Sequence, residues 1–106
     1  MKLLTKGILE KFRKQGRTDN KPSNEVKIIA KFFNPTGAGT WYAVEYDEKT
    51  EMFFGFVSIF NDWNDELGYF SLEELESFRG MFGLGIERDL HFGEYTLQDI
   101  LDGKRP

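Results

Sequence analysis

Val26-Lys27-Ile28-Ile29-Ala30-Lys31-Phe32-Phe33, Thr40-Trp41-Tyr42-Ala43-Val44-Glu45-Tyr46 and Glu51-Met52-Phe53-Phe54-Gly55-Phe56-Val57-Ser58 follow one another with short links between them. All three runs are rich in β-branched and aromatic residues, which fit a pleated, half-buried surface, so each reads as a strand. The links Asn34-Pro35-Thr36-Gly37-Ala38-Gly39 and Asp47-Glu48-Lys49-Thr50 have turn chemistry and hairpin length. Three consecutive strands joined in this way form an antiparallel meander. At Phe32-Phe33 and Phe53-Phe54 neighbouring side chains point to opposite sides of a strand, so both faces of the sheet carry aromatic surface. Helices cover one face, and the other requires a loop, a partner or a ligand.

Outward from the meander, Leu67-Gly68-Tyr69-Phe70-Ser71-Leu72-Glu73-Glu74-Leu75 reads as a short strand, 68–70, running into a capped helix. Residues 86–92 add a longer strand. Three helix starts share one grammar: Thr5, Ser71 and Thr96 are hydroxyl caps, each with an apolar residue before it and another near the end of the first turn. Glu74 and Asp99 stand where a capping box closes. Helices are expected near residues 6–15, 72–79 and 97–102, with Gly80 as a left-handed stop for the second. Residues 16–24, Gly-Arg-Thr-Asp-Asn-Lys-Pro-Ser-Asn, read as a mobile linker. The fold class is α+β: an antiparallel sheet of four to five strands with three short helices, mainly on one face.

A chain of 106 residues builds one domain, 1–106, with a basic N-terminal helix and linker at 1–24 and an acidic sheet-helix body at 25–106. Eleven Phe, four Tyr and two Trp give a ring-rich core that needs no cross-links. The absence of Cys removes disulfides, Cys-ligated zinc and thiol chemistry, and fits a reducing cytoplasm. Lys2, Lys6, Glu10 and Lys11 interrupt the apolar residues at the start, so no signal-peptide core is expected there, and no run approaches a membrane span. The net charge of −4 hides a split: residues 1–31 hold nine Lys and Arg against three acids, and residues 32–106 hold five against fifteen. The two halves either form a dipolar surface or pack together and neutralise.

Alternation along Ile86-Glu87-Arg88-Asp89-Leu90-His91-Phe92 places Glu87, Asp89 and His91 on one strand face, about 7 Å apart in succession. Two carboxylates and the single histidine in such a row would suit a divalent cation or a general acid and base, and hence a metal-assisted hydrolase. The same alternation is the ordinary solvent face of a half-buried strand, and no metal or other cofactor is expected. Arg88, facing apolar neighbours, calls for a carboxylate such as Glu74 or Glu66, or for an edge position from which it reaches water. Asp62, Asp65, Glu66, Glu73, Glu74 and Glu76 form a negative patch, either a solvated surface or a docking surface for a protein with a basic groove. Aromatic strands beside Lys27 and Lys31 could stack single-stranded RNA or DNA, against which the acidic body argues. Gly80-Met81-Phe82-Gly83-Leu84-Gly85 follows a helix rather than opening one, so it is no phosphate cradle, and the chain holds no nucleophile triad, P-loop or zinc spacing.

The opening Met1-Lys2-Leu3-Leu4-Thr5-Lys6, then Ala30-Lys31-Phe32-Phe33 with Pro35, Thr40-Trp41-Tyr42, Phe53-Phe54-Gly55, residues 66–75 and Glu87-Arg88-Asp89-Leu90-His91-Phe92-Gly93 together resemble family 2958 of domains of unknown function, in its order and nearly its spacing. The loop Asn61-Asp62-Trp63-Asn64 departs from that likeness. The resemblance implies a small protein of bacterial plasmids, phages and conjugative elements, and transfers no catalytic residue. The expected function is a non-enzymatic accessory protein of a mobile element, binding a protein through its acidic surface. In its sharper form it inhibits a host nucleic-acid-targeting defence enzyme, a restriction or CRISPR effector. An exposed aromatic sheet face would also suit a homodimer.

Overall fold

The computed structural model describes residues 2–60 and 64–106. Strands β1 (Ala30–Phe33), β2 (Thr40–Asp47), β3 (Met52–Ser58), β4 (Glu66–Ser71) and β5 (Glu87–Arg88) form one antiparallel sheet in the order β4-β3-β2-β1-β5. The first four strands make the expected meander, and β5 returns to the free side of β1. The links close as their composition requires. Asn34 accepts from Thr36 N–H at 3.1 Å through its side chain and donates its backbone N–H to Gly39 at 3.0 Å. The Asp47 carboxylate accepts from Lys49 N–H at 2.8 Å, shaping the β2–β3 turn.

The pairing of β2 with β3 slips once. Ala43 lies opposite Gly55 and Glu45 opposite Phe54, so Val44 is the extra residue of a β-bulge. This shift puts both Ala43 and Val44 in the interior and turns Tyr46 onto the same side as Trp41 and Ala43. Tyr46 then meets Phe53 at 4.7 Å and Phe12 at 6.1 Å between ring centres. Gly55 permits the slip: a Cβ there would lie 1.9 Å from the Tyr42 carbonyl oxygen. Only hydrogen fits.

Two cores result, one on each face. Helices α1 (Lys6–Gln15) and α2 (Leu72–Ser77) cover the first, packing Phe12, Leu72 and Leu75 with Phe32, Phe53 and Phe70. The second face is closed by α3 (Leu97–Leu101) with the C-terminal residues: Leu97 and Ile100 pack with Val26, Ile28, Tyr42, Val44 and Phe56. This face, expected to need a loop, a partner or a ligand, is instead covered by the chain's own third helix. The Tyr42 hydroxyl donates to the Pro106 carbonyl at 3.1 Å, and Arg105 lies 4.7 Å over the Phe56 ring. Burial pushes the Tyr42 phenol up.

All three caps form. Thr5 accepts from Ile8 N–H at 3.3 Å, Ser71 from Glu74 N–H at 3.2 Å and Thr96 from Asp99 N–H at 3.2 Å. Among the described residues only α3 closes the reciprocal box, with Asp99 accepting from Thr96 N–H at 2.9 Å. Helix α2 is shorter than expected and does not end on Gly80. Phe78 is already extended at φ −62° and ψ 135°, and Gly80 has φ −93°. In this turn the left-handed positions are Phe82 (φ 61°) and Gly83 (φ 73°), while a Cβ at Gly80 would come within 2.8 Å of the Thr36 hydroxyl Oγ1.

The segment expected as a loose linker is fastened to the sheet. Gln15 bonds the backbone of Lys27 and Val44, and Glu45 accepts from both the backbone and the hydroxyl of buried Thr18. Residues Ser23–Glu25 form a short 3-10 turn, and Ser23 donates to Gln98. The bidentate pair of Arg13 with Glu48, at 2.7 and 2.8 Å, ties the basic first helix to the acidic β2–β3 turn. No helix among the described residues is long and apolar enough to cross a membrane.

Candidate functional site

The residues proposed as a catalytic row do not share one strand. Strand β5 stops at Arg88, opposite Phe32, although Lys31 and Ala30 of β1 continue past it. One further bond, Asp89 N–H to Lys31 carbonyl at 2.9 Å, follows, after which the Asp89 side chain accepts from His91 N–H at 2.9 Å and the chain turns away. Leu90, assigned to the apolar side, is exposed, as is His91, while Glu87 is half-buried opposite Phe33. Asp89 faces Lys31 Nζ at 3.6 Å. Among the described residues no group of three His, Cys, Asp or Glu side chains is placed to hold a metal ion. Arg88 donates to the Lys2 and Leu3 carbonyls at 2.9 and 2.8 Å, clamping the N-terminal segment over the sheet edge. Glu66, one of its expected partners, is on β4 at the opposite edge.

The acidic residues divide. Asp62 lies outside the described residues. The Asp65 side chain is only 6% exposed; it accepts from Ser58 Oγ at 2.8 Å and faces Arg105 Nη2 at 3.3 Å, so it holds the C-terminal segment to the sheet. Glu66, Glu73, Glu74 and Glu76 are exposed, on β4 and α2. These four form the surface that remains of the six.

Beside them lies apolar surface that sequence reasoning did not single out. The 78–85 turn folds back at the end of the sheet that carries the β1–β2 link, where Gly80 meets Thr36. It is closed by Gly80 N–H to Leu84 carbonyl at 2.8 Å and Gly83 N–H to Gly80 carbonyl at 3.1 Å, with Arg79 Nη1 donating to the Glu76 and Phe78 carbonyls. This closed turn holds Phe82, 88% exposed, in a left-handed conformation that costs a non-glycine residue about 1 kcal/mol or more. Phe78, Met81 and Leu84 are exposed beside it, and Ile59 and Phe60 project after β3. Between them runs a groove of about 280 Å³ lined by Trp41, Ile59, Phe70, Leu75, Phe78 and Ile86, with Glu74 as its charged wall. Trp41, read from sequence as an ordinary strand ring, is half-buried here and forms part of the floor. Exposed apolar side chains thus lie on the turn that follows the acidic face of α2.

Residues 3–100 match the model of a family described as a protein of unknown function, DUF2958. The chain belongs to that family. The matched range takes in the whole sheet and the 78–85 turn, so the exposed Phe82 lies within the family's domain. No curated protein and no solved structure matches the chain.

The sequence did hold a signal for this surface. Met81, Phe82 and Leu84 sit in a glycine-rich turn, where large apolar side chains have no strand or helix face to bury them. Reading the glycines as a helix stop passed over the residues between them.

Proposed function

We propose that this protein is a non-enzymatic interaction module that docks a basic protein partner on the acid-bordered apolar surface of β4, α2 and the 78–85 turn. The observation that carries the reading is the 88% exposure of Phe82, with Phe78, Met81 and Leu84 exposed beside it, on the turn that follows Glu73, Glu74 and Glu76 of α2. Apolar rings supply affinity once desolvated, and a border of one sign steers and selects a partner of the other. In its finer form, the protein is an accessory factor of a mobile element that occupies the nucleic-acid groove of a host defence enzyme, a restriction or CRISPR effector. An acidic surface with stacking rings resembles a nucleic acid in charge and in apolar contact. The test is affinity capture from host lysate after nuclease treatment, with the wild-type chain and a Phe82→Ser, Glu73→Lys, Glu74→Lys variant side by side. A protein held by the wild type and lost by the variant supports the reading. Capture of nucleic acid alone, or equal capture by both chains, refutes it.

A further inference from the structure

Strand β4 is the edge of the sheet among the described residues, and its ladder fixes which backbone groups face outward. Met52 pairs with Ser71, and Leu72 N–H donates to the Glu51 carbonyl at 3.0 Å. That pattern makes Met52 and Ser71 a non-hydrogen-bonded pair, so Phe70, Gly68 and Glu66 exchange bonds with β3. Leu67 and Tyr69 therefore turn both N–H and C=O away from the sheet. The strand carries no proline, lysine or bulge of the kind that protects an edge from pairing.

We infer that β4 accepts an added strand: an extended segment of the partner protein with apolar residues at alternate positions and basic residues around them. This inference rests on the interaction reading above and states its mode. Three features of the edge select this occupant. The Leu67 and Tyr69 groups give main-chain bonds to any extended chain. On one face, Gly68 leaves a hollow: a Cβ there would meet nothing within 4 Å, and a groove of about 380 Å³ lined by Val57, Ile59, Gly68 and Tyr69 receives an apolar side chain. On the other face Leu67 and the Tyr69 ring, which lies 4.9 Å from Phe54, offer apolar contact to the neighbouring positions.

Charge decides between a foreign strand and a second copy. A second copy paired two-fold on this edge, centred on either Gly68 or Tyr69, would bring a strand and helix with four exposed carboxylates and no Lys or Arg. Both copies would gather those carboxylates at one edge, where like charges repel. Exposed Glu66, Glu73, Glu74 and Glu76 instead suit lysine or arginine on the added strand.

The test uses a capped eight-residue peptide of alternating Val and Lys, an equivalent Val and Glu peptide, and amide hydrogen exchange of the full chain. The lysine peptide is expected to bind saturably and to slow exchange of the Leu67 and Tyr69 amides at least tenfold, with no such effect from the glutamate peptide. Tyr69→Pro, which removes an outward N–H and no ladder bond, should abolish this protection. Glu66→Lys with Glu73→Lys, both exposed, should weaken binding at least tenfold without relying on a proline. Binding of both peptides alike, absence of lysine-peptide binding, or binding that leaves the two amides unprotected overturns the inference. Slow exchange of both amides in the free chain does so too, because the edge is then already occupied. A lysate partner retained by Tyr69→Pro overturns edge pairing alone, whereas a wild-type chain that captures no protein partner refutes the interaction reading itself.

Discussion

Gly55 and Gly68 face each other across β3 and β4, and the structure assigns them opposite tolerance to a single methyl group. At Gly55 an added Cβ would lie 1.9 Å from the Tyr42 oxygen, 2.8 Å from its carbonyl carbon and 2.9 Å from Ala43 Cα, all backbone atoms of the central strand. Reaching an ordinary C···O contact of about 3.3 Å requires β2 and β3 to separate by more than about 1 Å at the bulge. No rotamer relieves this. Overpacking ordinarily costs about 1–3 kcal/mol, and a clash confined to backbone belongs at or above the upper end, so Gly55→Ala is expected to lose about 3 kcal/mol. A domain of this size has a total of only about 5–15 kcal/mol. With an m-value of about 1.5 kcal/mol per M, the urea midpoint should fall by about 2 M. At Gly68 the same methyl enters open space and removes unfolded-state freedom, so Gly68→Ala should be neutral or stabilise by up to about 1 kcal/mol. Paired urea melts followed by near-ultraviolet circular dichroism measure both. A Gly55→Ala shift below about 0.5 M, or equal losses at the two sites, would show that the strands do not approach at a bulge between Ala43 and Glu45.

Four further outcomes follow from the packing and the charges. Asp65→Ala should destabilise by about 3 kcal/mol in chemical denaturation, because it leaves the largely buried Arg105 without its carboxylate over the Phe56 ring. Thr96→Ala should cost about 1 kcal/mol through the lost cap of α3, and a calorimetric melt resolves it. Trp41→Ala should cost about 2 kcal/mol, less than the 3–5 of a fully buried ring, since one side of Trp41 lines the groove. The Asp99 carboxyl is held below the usual carboxylate range, first by the Thr96 N–H and then by Lys104. Its contribution is therefore complete above the unfolded-state pKa and is lost as pH falls through the lower folded-state value, so Asp99→Asn should flatten that part of the acid limb in a stability-against-pH series.

The meander was legible because local signals agreed: β-branched runs, hairpin-length links and aromatic pairs all specify strands that bury both faces. The three caps were legible for the same reason, since a hydroxyl before an apolar first turn acts within four residues. Strand lengths were not. Residues 86–92 alternate as well as any strand, but alternation cannot reveal that the Asp89 side chain captures the His91 N–H and turns the chain away from β1. Strand β4 runs longer than its sequence suggests because β3 extends alongside it from Met52 to Val57. The role of Asp65 was hidden because its partner Arg105 lies 40 residues away. The bulge escaped notice because Ala43 and Val44 look alike in composition, and only register shows that both face inward. Of the six acidic site candidates, Glu66, Glu73, Glu74 and Glu76 stand exposed together, while the rings beside them emerged only when the 78–85 turn was seen to fold back against Thr36.

The central claim is that the acid-bordered apolar surface, and not the basic helix α1, meets the partner. The most direct measurement is titration calorimetry of the captured partner against the wild type, Glu73→Lys with Glu74→Lys, and Lys11→Glu with Lys14→Glu, each at two salt concentrations. Reversal on α2 should weaken binding at least tenfold and reduce its salt dependence, because exposed pairs at the border are screened. Reversal on α1 should leave affinity within about twofold, a difference of about 0.4 kcal/mol. Unchanged affinity on α2 reversal, or a loss confined to α1 reversal, would contradict the account.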